Sequence, residues 1–491
     1  SKKGAYPGKQ RGGFPDYPRR TPCQISEQLL RRSHRCYLQS NGSGIIIMLN
    51  QSFSAENFRR IFDLENRKGV FLEGKYFPQL KDITEKIKDC NKNIKREKKE
   101  KVSNGNDELK KLYEERKLLK KEKERQLNKE LQNISENIVA KEFRIEMIKK
   151  DIANSKSLYL AKDTPENYFA IKQLQINFSR SFIVKQSNRS QIISQVKILL
   201  DDKLPKFILR TDIDDFYENI PHERLFHLIS NNHILSPFSR KLLGQILHKY
   251  RELSGNSKGI PRGVGISANL AELYMRDIDS KIVSLFGLIY YARYVDDIII
   301  IFAPTLDSPS RKYLDDIKNI VEFNNELKLN ATKTKSFDLI NTKGSYELEY
   351  LGYKISFGNG HTKTRLTNKK MQKYRGRLDA TFKSYSILSR INEKEARKYL
   401  VKRLRYLTGN TRLKGNKKNI LIGIYYSNSQ LTEKNDLFDL DKYLENKIKN
   451  EIKIFQLQQR LRKYSFMDGF NNKHFSPFKT EELKEILKSW D

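Results

Sequence analysis

A chain of 491 residues can bury several cores, so two to four domains are expected. Its 95 Lys and Arg against 59 Asp and Glu leave a formal charge of +36, far beyond what solubility requires, which points to a polyanionic partner. The longest apolar runs, Ile45 to Leu49 and Ile298 to Phe302, fall far short of a membrane span, and Cys23, Cys36 and Cys90 lack the number and spacing of a disulfide framework or a structural zinc site.

The basic residues are interleaved with 25 Tyr and 26 Phe, which suits a nucleic-acid groove better than a solvated tail or an anionic membrane surface. There is no signal-peptide pattern, and a reducing cytoplasm fits the cysteine usage. Residues 1–47, rich in Gly, Pro, Arg and Lys, read as a flexible basic arm, with the folded region beginning near Met48.

Between Phe53 and Phe77 the pattern predicts a helix with Ser54 as its N-cap and Gly69 closing it. Leu80 to Ile152 is Lys/Glu-rich and broken once, at Ser103-Asn104-Gly105-Asn106. Apolar residues recur at helical spacing on both sides: Ile83, Ile87 and Cys90, then Leu109, Leu112, Leu118 and Leu119, then Leu131, Ile134 and Ile138. Two antiparallel helices joined at that turn are expected, as a solvated hairpin insertion, with RNA clamping and self-association both open as its role. Phe182 to Val184 reads as a strand leading into a helix whose apolar side is Ile192, Ile193, Val196 and Leu199. Lys185 and Arg189 between them are candidate triphosphate contacts, with plain surface charge as the competing reading.

Phe207 to Thr211 is a predicted strand that delivers Asp212, Asp215, Phe216 and Tyr217, and Pro221 precedes a helix around Leu225 to Ile229. Gly259 to Gly265 is a glycine-rich loop, after which Ser267 starts a helix carrying Leu270, Leu273 and Tyr274 on one face. Leu288 to Tyr294 and Ile298 to Phe302 form the two arms of a hairpin, with Val295-Asp296-Asp297 at the bend. Two adjacent carboxylates at the tip of so apolar a hairpin are costly unless a cation binds there, although a solvated Asp-Asp turn reads equally well from the dipeptide alone. If Asp212 meets Asp296 and Asp297 it does so across a sheet. Three carboxylates on adjacent strands make a two-metal site, one Mg²⁺ acidifying an attacking hydroxyl and the other neutralising a leaving pyrophosphate.

Asp212-Ile213-x-x-Phe216-Tyr217, Gly259-Ile260-Pro261-x-Gly263 with Ser267, and Tyr294-Val295-Asp296-Asp297 resemble the successive palm motifs of reverse transcriptases. Leu327-x-Leu329-Asn330-x-x-Lys333-Thr334 resembles the next motif and Tyr350-Leu351-Gly352-Tyr353 the primer grip, so the likeness runs through residues 165–357. Arg293 ahead of the aspartates is more like retron and group II intron enzymes than retroviral ones. Arg262 stands where the second palm motif usually has Gln, and Ala268 where it has Pro. With Ala271-Glu272-Leu273-Tyr274, these resemble the bacterial unknown-group, or defence-associated, reverse transcriptases. Arg405 to Leu413 and Gly423 to Ser427 are similar to the α-helical extension those proteins carry in place of a conventional thumb.

The resemblance implies an α+β fold: right-hand polymerase fingers and palm, an antiparallel sheet with helices, in residues 165–357. An N-terminal helical region with the hairpin insertion (48–164) precedes it and a helical thumb-like domain (358–491) follows. It implies Asp212 and Asp296 as ligands of two Mg²⁺ ions (Mn²⁺ as substitute), Asp297 as a third carboxylate and the Ile213 carbonyl as a further ligand. Tyr217 matches the aromatic that blocks a ribose 2′-OH, against the plainer reading of a core tyrosine. Asp215, Phe216, Arg262 and Gly263 line the incoming nucleotide, with Lys185 and Arg189 on its triphosphate. Lys333 is the candidate proton donor to pyrophosphate, or a surface lysine. Tyr294, Leu351, Gly352 and Tyr353 contact primer and template.

The implied activity is RNA-directed DNA synthesis from dNTPs on a dedicated non-coding RNA, in antiphage defence in the bacterial cytoplasm, with homo-oligomerisation open and no membrane role. Arg262 in place of Gln leaves a repetitive or homopolymeric DNA product open. Template-independent or protein-primed terminal transfer, and non-catalytic RNA binding, are the alternatives. Beyond Thr362 the basic amphipathic helices suit RNA or duplex binding. No ribonuclease H or zinc nuclease pattern is visible, so template degradation and integration are not expected.

Overall fold

The structure, a computed structural model, describes residues 50–490 apart from 101–104, 153–155, 183, 185–186, 203, 232–233, 304–309, 324–325, 340–343, 359–360 and 414–419. The basic arm, Met48, Cys23, Cys36, the first half of the expected hairpin turn (Ser103 and Asn104) and Lys185 therefore lie outside the described residues.

Ser54 caps the first helix, Ala55–Arg67, accepting from the Asn57 amide, and the chain leaves it at Gly69 in a left-handed conformation (φ 82°). Helices Lys81–Glu100 and Gly105–Val139 pack antiparallel. Cys90 Sγ donates to the Leu112 carbonyl at 3.2 Å, and Lys98 and Arg116 sit over the Tyr113 ring. Toward the base of the hairpin Leu127, Leu131, Ile134 and Ile138 join the main core. Toward its tip the apolar stripe is thin: Leu118, expected on the packed face, is 64% exposed.

The hairpin ends earlier than its composition predicts. Met147–Lys150 is a strand, β1, paired antiparallel with β2, Leu158–Ala161. Lys and Glu continue across this boundary, so composition alone hides it. Phe182 also departs from expectation, ending the helix Pro165–Phe182 rather than opening a strand. Helix Arg189–Asp201 follows, capped by Asn188.

A four-stranded antiparallel sheet organises the centre in the order β4–β5–β3–β6: Leu288–Tyr294, Asp297–Phe302, Phe207–Asp212 and Lys335–Asp338. Side chains alternate between its faces, and both faces are covered, which is why β5 reads as an unbroken apolar run. Ile298, Ile300 and Phe302 enter one core with helices 165–182, 237–254 and 267–283. Ile299 and Ile301 enter another with helices 189–201, 368–389, 393–408 and 435–451. The sheet thus divides a fingers-side core from a C-terminal core.

A second sheet, β7–β8–β9 (Tyr346–Tyr350, Tyr353–Phe357, Lys363–Leu366), takes its last strand from beyond residue 357. The C-terminal region is largely helical but includes a small hairpin, β10–β11 (Asn410–Leu413, Ile420–Gly423). Among the described residues no helix is long and apolar enough to cross a membrane.

Candidate active site

β3 and β5 run side by side in a register that sets Asp212 opposite Asp297. Tyr294 of β4 also faces Asp297, so the β4–β5 connection is a two-residue turn of Val295 and Asp296, one residue tighter than the predicted bend. Only Val295 of the two has positive φ (63°), the pattern of a type II′ hairpin, a costly conformation for a β-branched residue. Two bonds hold it: Arg293 Nη1 donates to the Val295 carbonyl at 2.8 Å, and the Ile213 amide donates to the Asp296 carbonyl at 3.2 Å. The sheet therefore brings Asp212, Asp296 and Asp297 together across two adjacent strands.

Burial and the neighbouring charge of Asp212 raise the Asp296 carboxyl above its ordinary range. Burial lifts Asp297 to about 6, against the opposing pull of Arg210, whose guanidinium lies 2.5 Å from its Oδ1. Asp212 is 5% exposed and accepts from the Lys333 ammonium. Lys333 is placed by its own segment, which lies beside β3. The Asn330 amide donates to the Asp212 carbonyl at 2.8 Å, Thr211 and Thr334 hydroxyls meet at 2.7 Å, and Ile213 bridges Leu329. Lys333 is thus held beside Asp212, although its side chain is half exposed.

Among the described residues no group of three His, Cys, Asp or Glu side chains is already set as a metal cage. The donor chemistry still fits a hard divalent cation. The oxygens are carboxylates, two of them held protonated more readily than usual by crowding and burial, and the cations Lys333 and Arg210 stand where positive charge is needed.

The glycine-rich loop approaches from the other side. Gly259 (φ 101°) and Gly263 (φ 103°) leave no room for a side chain: a Cβ would lie 2.8 Å from the Glu218 carbonyl in the first case and 2.9 Å from that of Tyr159 in the second. Between them Arg262 donates to both oxygens of Glu218 (2.5 and 3.0 Å), and its guanidinium lies 5.0 Å from the centre of the Tyr217 ring. Lys156, in the β1–β2 connection, donates to Glu218 at 3.2 Å and to Asp215, which itself has left-handed backbone (φ 44°). The Tyr159 amide donates to the Arg262 carbonyl at 2.7 Å, tying β2 to this loop. Phe216 departs from its expected place against the nucleotide. It is buried in the core with its ring edge-on to Tyr217, and supports that ring from behind.

Leu351 and Gly352 both have positive φ (46° and 76°), forming a type I′ turn between β7 and β8. Arg189 is placed here and not free at a fingers surface. Its Nε donates to the Leu351 carbonyl at 2.7 Å, and a Cβ on Gly352 would approach its Nη2 to 2.9 Å. Arg189 and Lys370 both lie over the Tyr353 ring, at 5.4 and 5.1 Å. Tyr350 Oη donates to the Asp297 carbonyl at 3.3 Å, so this turn is linked to the aspartates through one buried hydroxyl. Tyr294, at the end of β4, is 37% exposed.

Residue-type reasoning passed over Arg293 as a structural element. It is 7% exposed, and beyond Val295 it engages Glu272 (2.7 Å) and Asp279 (2.8 Å). The signal was present: one Arg in an otherwise apolar strand, and two acids seven residues apart, hence on one face of helix Ser267–Val283. Glu218 and Lys156 carried no comparable signal.

Paired aspartates on a hairpin of an antiparallel sheet, with a glycine-rich loop and a lysine closing in, are the arrangement expected of a palm-type polymerase site. Residues 167–355 match the family model described as reverse transcriptase (RNA-dependent DNA polymerase). That span therefore carries a reverse transcriptase domain, which is that of an RNA-directed DNA polymerase, a nucleotidyltransferase. No curated protein matches the chain. Solved structures similar to it include telomerase from Candida albicans in complex with a TWJ fragment of telomeric RNA, at 12% identity and a TM-score of 0.33, over 70% of this chain and 61% of that one. Apo telomerase from Candida tropicalis is similar at 11% identity and a TM-score of 0.35, over 70% and 60%. A form of it truncated from the C-terminal domain gives 14% and 0.32, over 45% and 54%. The chain spans about half to three fifths of the length of these telomerases.

Proposed function

We propose that this protein synthesises DNA from dNTPs on an RNA template at Asp212, Asp296 and Asp297. The observation that carries the proposal is the register that sets Asp212 opposite Asp297 with Asp296 in the adjoining turn, inside the span that matches the reverse transcriptase family. Asp212, Asp296 and the Ile213 carbonyl would hold Mg²⁺, which would supply acidification of the primer hydroxyl and neutralisation of the leaving pyrophosphate. Lys333, whose ammonium bonds Asp212, delivers a proton to that pyrophosphate in this reading. Tyr217, braced by Phe216 and Arg262, excludes a ribose 2′-OH, and the Leu351–Gly352 turn, held by Arg189, supports the primer strand.

The natural template in this proposal is a dedicated non-coding RNA and the setting is bacterial antiphage defence, on the likeness of the palm and C-terminal motifs to that branch. The charge of +36 supports an RNA partner.

The test is a primer-free polymerisation assay on protein purified with its accompanying RNA, in Mg²⁺, with each dNTP singly and all together, sequencing both product and RNA. DNA complementary to a bound RNA is expected. Asp296→Asn with Asp297→Asn should abolish it while RNA retention stays nearly intact. Incorporation that survives this double substitution would overturn the site, and DNA unrelated to any bound RNA would favour template-independent transfer.

A further inference from the structure

Helix Glu393–Thr408 buries Ala396, Leu400, Leu404 and Leu407 against the C-terminal core. Its other side turns Lys394, Lys398, Lys402 and Arg405 outward, the first three four residues apart and so about 6 Å along the axis. These line a cavity of about 540 Å³, and Arg460, from helix Phe455–Leu461, stands on its rim. Arg405 also lines a second cavity of about 280 Å³, with Lys463, Tyr464 and the half-exposed Phe475, so the two adjoin at this residue and are taken together as one groove.

The acids that line the two cavities are already engaged, and so is Lys402. Glu393 binds Arg397 at 2.5 Å, Glu482 binds Lys402 at 2.5 Å, and Asp468 binds His474 at 2.7 Å. Lys394, Lys398, Arg405, Arg460 and Lys463 have no ion-pair partner among the described residues. A concave track of unneutralised cations spaced along a helix attracts a chain that carries one charge per repeat. Aromatic rings at one end supply faces on which bases stack. Stacking of that kind favours a single strand, whose base faces are free, over a duplex, whose bases are already stacked on one another, and over an anionic membrane, which has none.

We infer that this groove is a binding track for single-stranded nucleic acid, built on residues other than those of the polymerase site. It rests on the reading of the protein as a nucleic-acid enzyme and names a surface for its RNA partner.

The experiment measures binding of a fluorescent single-stranded RNA oligonucleotide by the full chain in the Asp296→Asn, Asp297→Asn background, so that a failure of the polymerase reading leaves the result interpretable. Lys398→Gln, Arg405→Gln and Arg460→Gln together should weaken affinity at least tenfold. They should also flatten the slope of log affinity against log salt by about 2, at about 0.7 per lost phosphate contact. Phe475→Ala should weaken RNA binding several-fold while leaving binding of poly-glutamate unchanged. These side chains are surface groups, and an unchanged melting temperature checks that the fold persists. The proposal is overturned if the triple variant keeps its salt slope. It is equally overturned if Lys92→Gln, Lys110→Gln and Lys117→Gln on the N-terminal hairpin lose as much, or if Phe475→Ala loses poly-glutamate in parallel with RNA.

Discussion

Arg293 Nη1 donates to the carbonyl of Val295, two residues along the same chain, at 2.8 Å. One side chain thus links the strained turn that carries Asp296 to two carboxylates of a neighbouring helix, Glu272 and Asp279. The site is buried, and its three charges are meaningful only together.

Arg293→Met removes the cation and leaves Glu272 and Asp279 partly buried and unpaired. A loss of roughly 3–5 kcal/mol is expected, since stranding buried charge costs more than the pair contributes. Urea denaturation reads this directly. Nucleotide incorporation should fall even under conditions where the variant is folded, because Val295 then has no donor to hold its positive φ. Stability within about 0.5 kcal/mol of the parent would show that the network is not what holds the turn.

Glu218→Gln tests the Arg262 bracket separately. The pair is partly exposed (24% and 32%), so its loss should change stability by less than about 1 kcal/mol. Its effect should appear in nucleotide selection. Arg262 would no longer be fixed over the Tyr217 ring, and the ratio of kcat/KM for dNTP over rNTP should fall. An unchanged ratio with an altered KM for both nucleotides would assign Glu218 to binding alone.

Lys370 is held down to about 7, chiefly by burial and then by the nearby charges of Arg189 and Lys373. Its ordinary value is 10.5, so between these limits the unfolded chain carries a proton that the folded chain has released. Unfolding then takes up a proton, and stability rises with pH across the window from about 7 to 10.5, by at most about 1.4 kcal/mol per unit. Lys370→Met should flatten that rise. Melting temperatures across the window measure it, and a parallel curve for the variant would place the lysine in solvent.

The sequence made the palm legible because its physical demands are local. Five buried residues in a row, Ile298 to Phe302, require a strand covered on both faces, and the two aspartates at its start have few inexpensive places to sit. Ser54 and Gly69 marked a helix start and an exit in the same way. What was hidden depends on distant partners. Nothing near Met147 distinguishes a strand from the charged helix before it, because the strand is specified by its pairing with Leu158–Ala161. Nothing near Arg189 names its acceptor, Leu351, which lies far down the chain. Arg262 stood out as an unusual residue type, but its partner Glu218 became visible only once the loop had folded against the helix that follows Asp215.

Gly352→Ala addresses the turn that Arg189 holds. A Cβ there meets positive φ (76°) and the Arg189 guanidinium at 2.9 Å, so backbone strain and displacement of Arg189 act together. A loss of roughly 1–3 kcal/mol is expected. Primer extension should become less processive, with the single-nucleotide step less affected. Processivity equal to the parent's would separate this turn from primer support.

Lys333→Ala and Lys333→Arg divide two roles for the lysine beside Asp212. If Lys333 delivers a proton to the departing pyrophosphate, Lys333→Ala should lower kcat by roughly 10²–10⁴-fold, the usual scale for losing a general acid. The side chain is half exposed, so its removal should leave the melting temperature nearly unchanged. Arginine keeps the positive charge next to Asp212 but does not release a proton near neutral pH. Lys333→Arg should therefore restore substrate affinity without restoring kcat. Full rescue of kcat by arginine would mean that Lys333 acts on Asp212 and the phosphates through its charge alone.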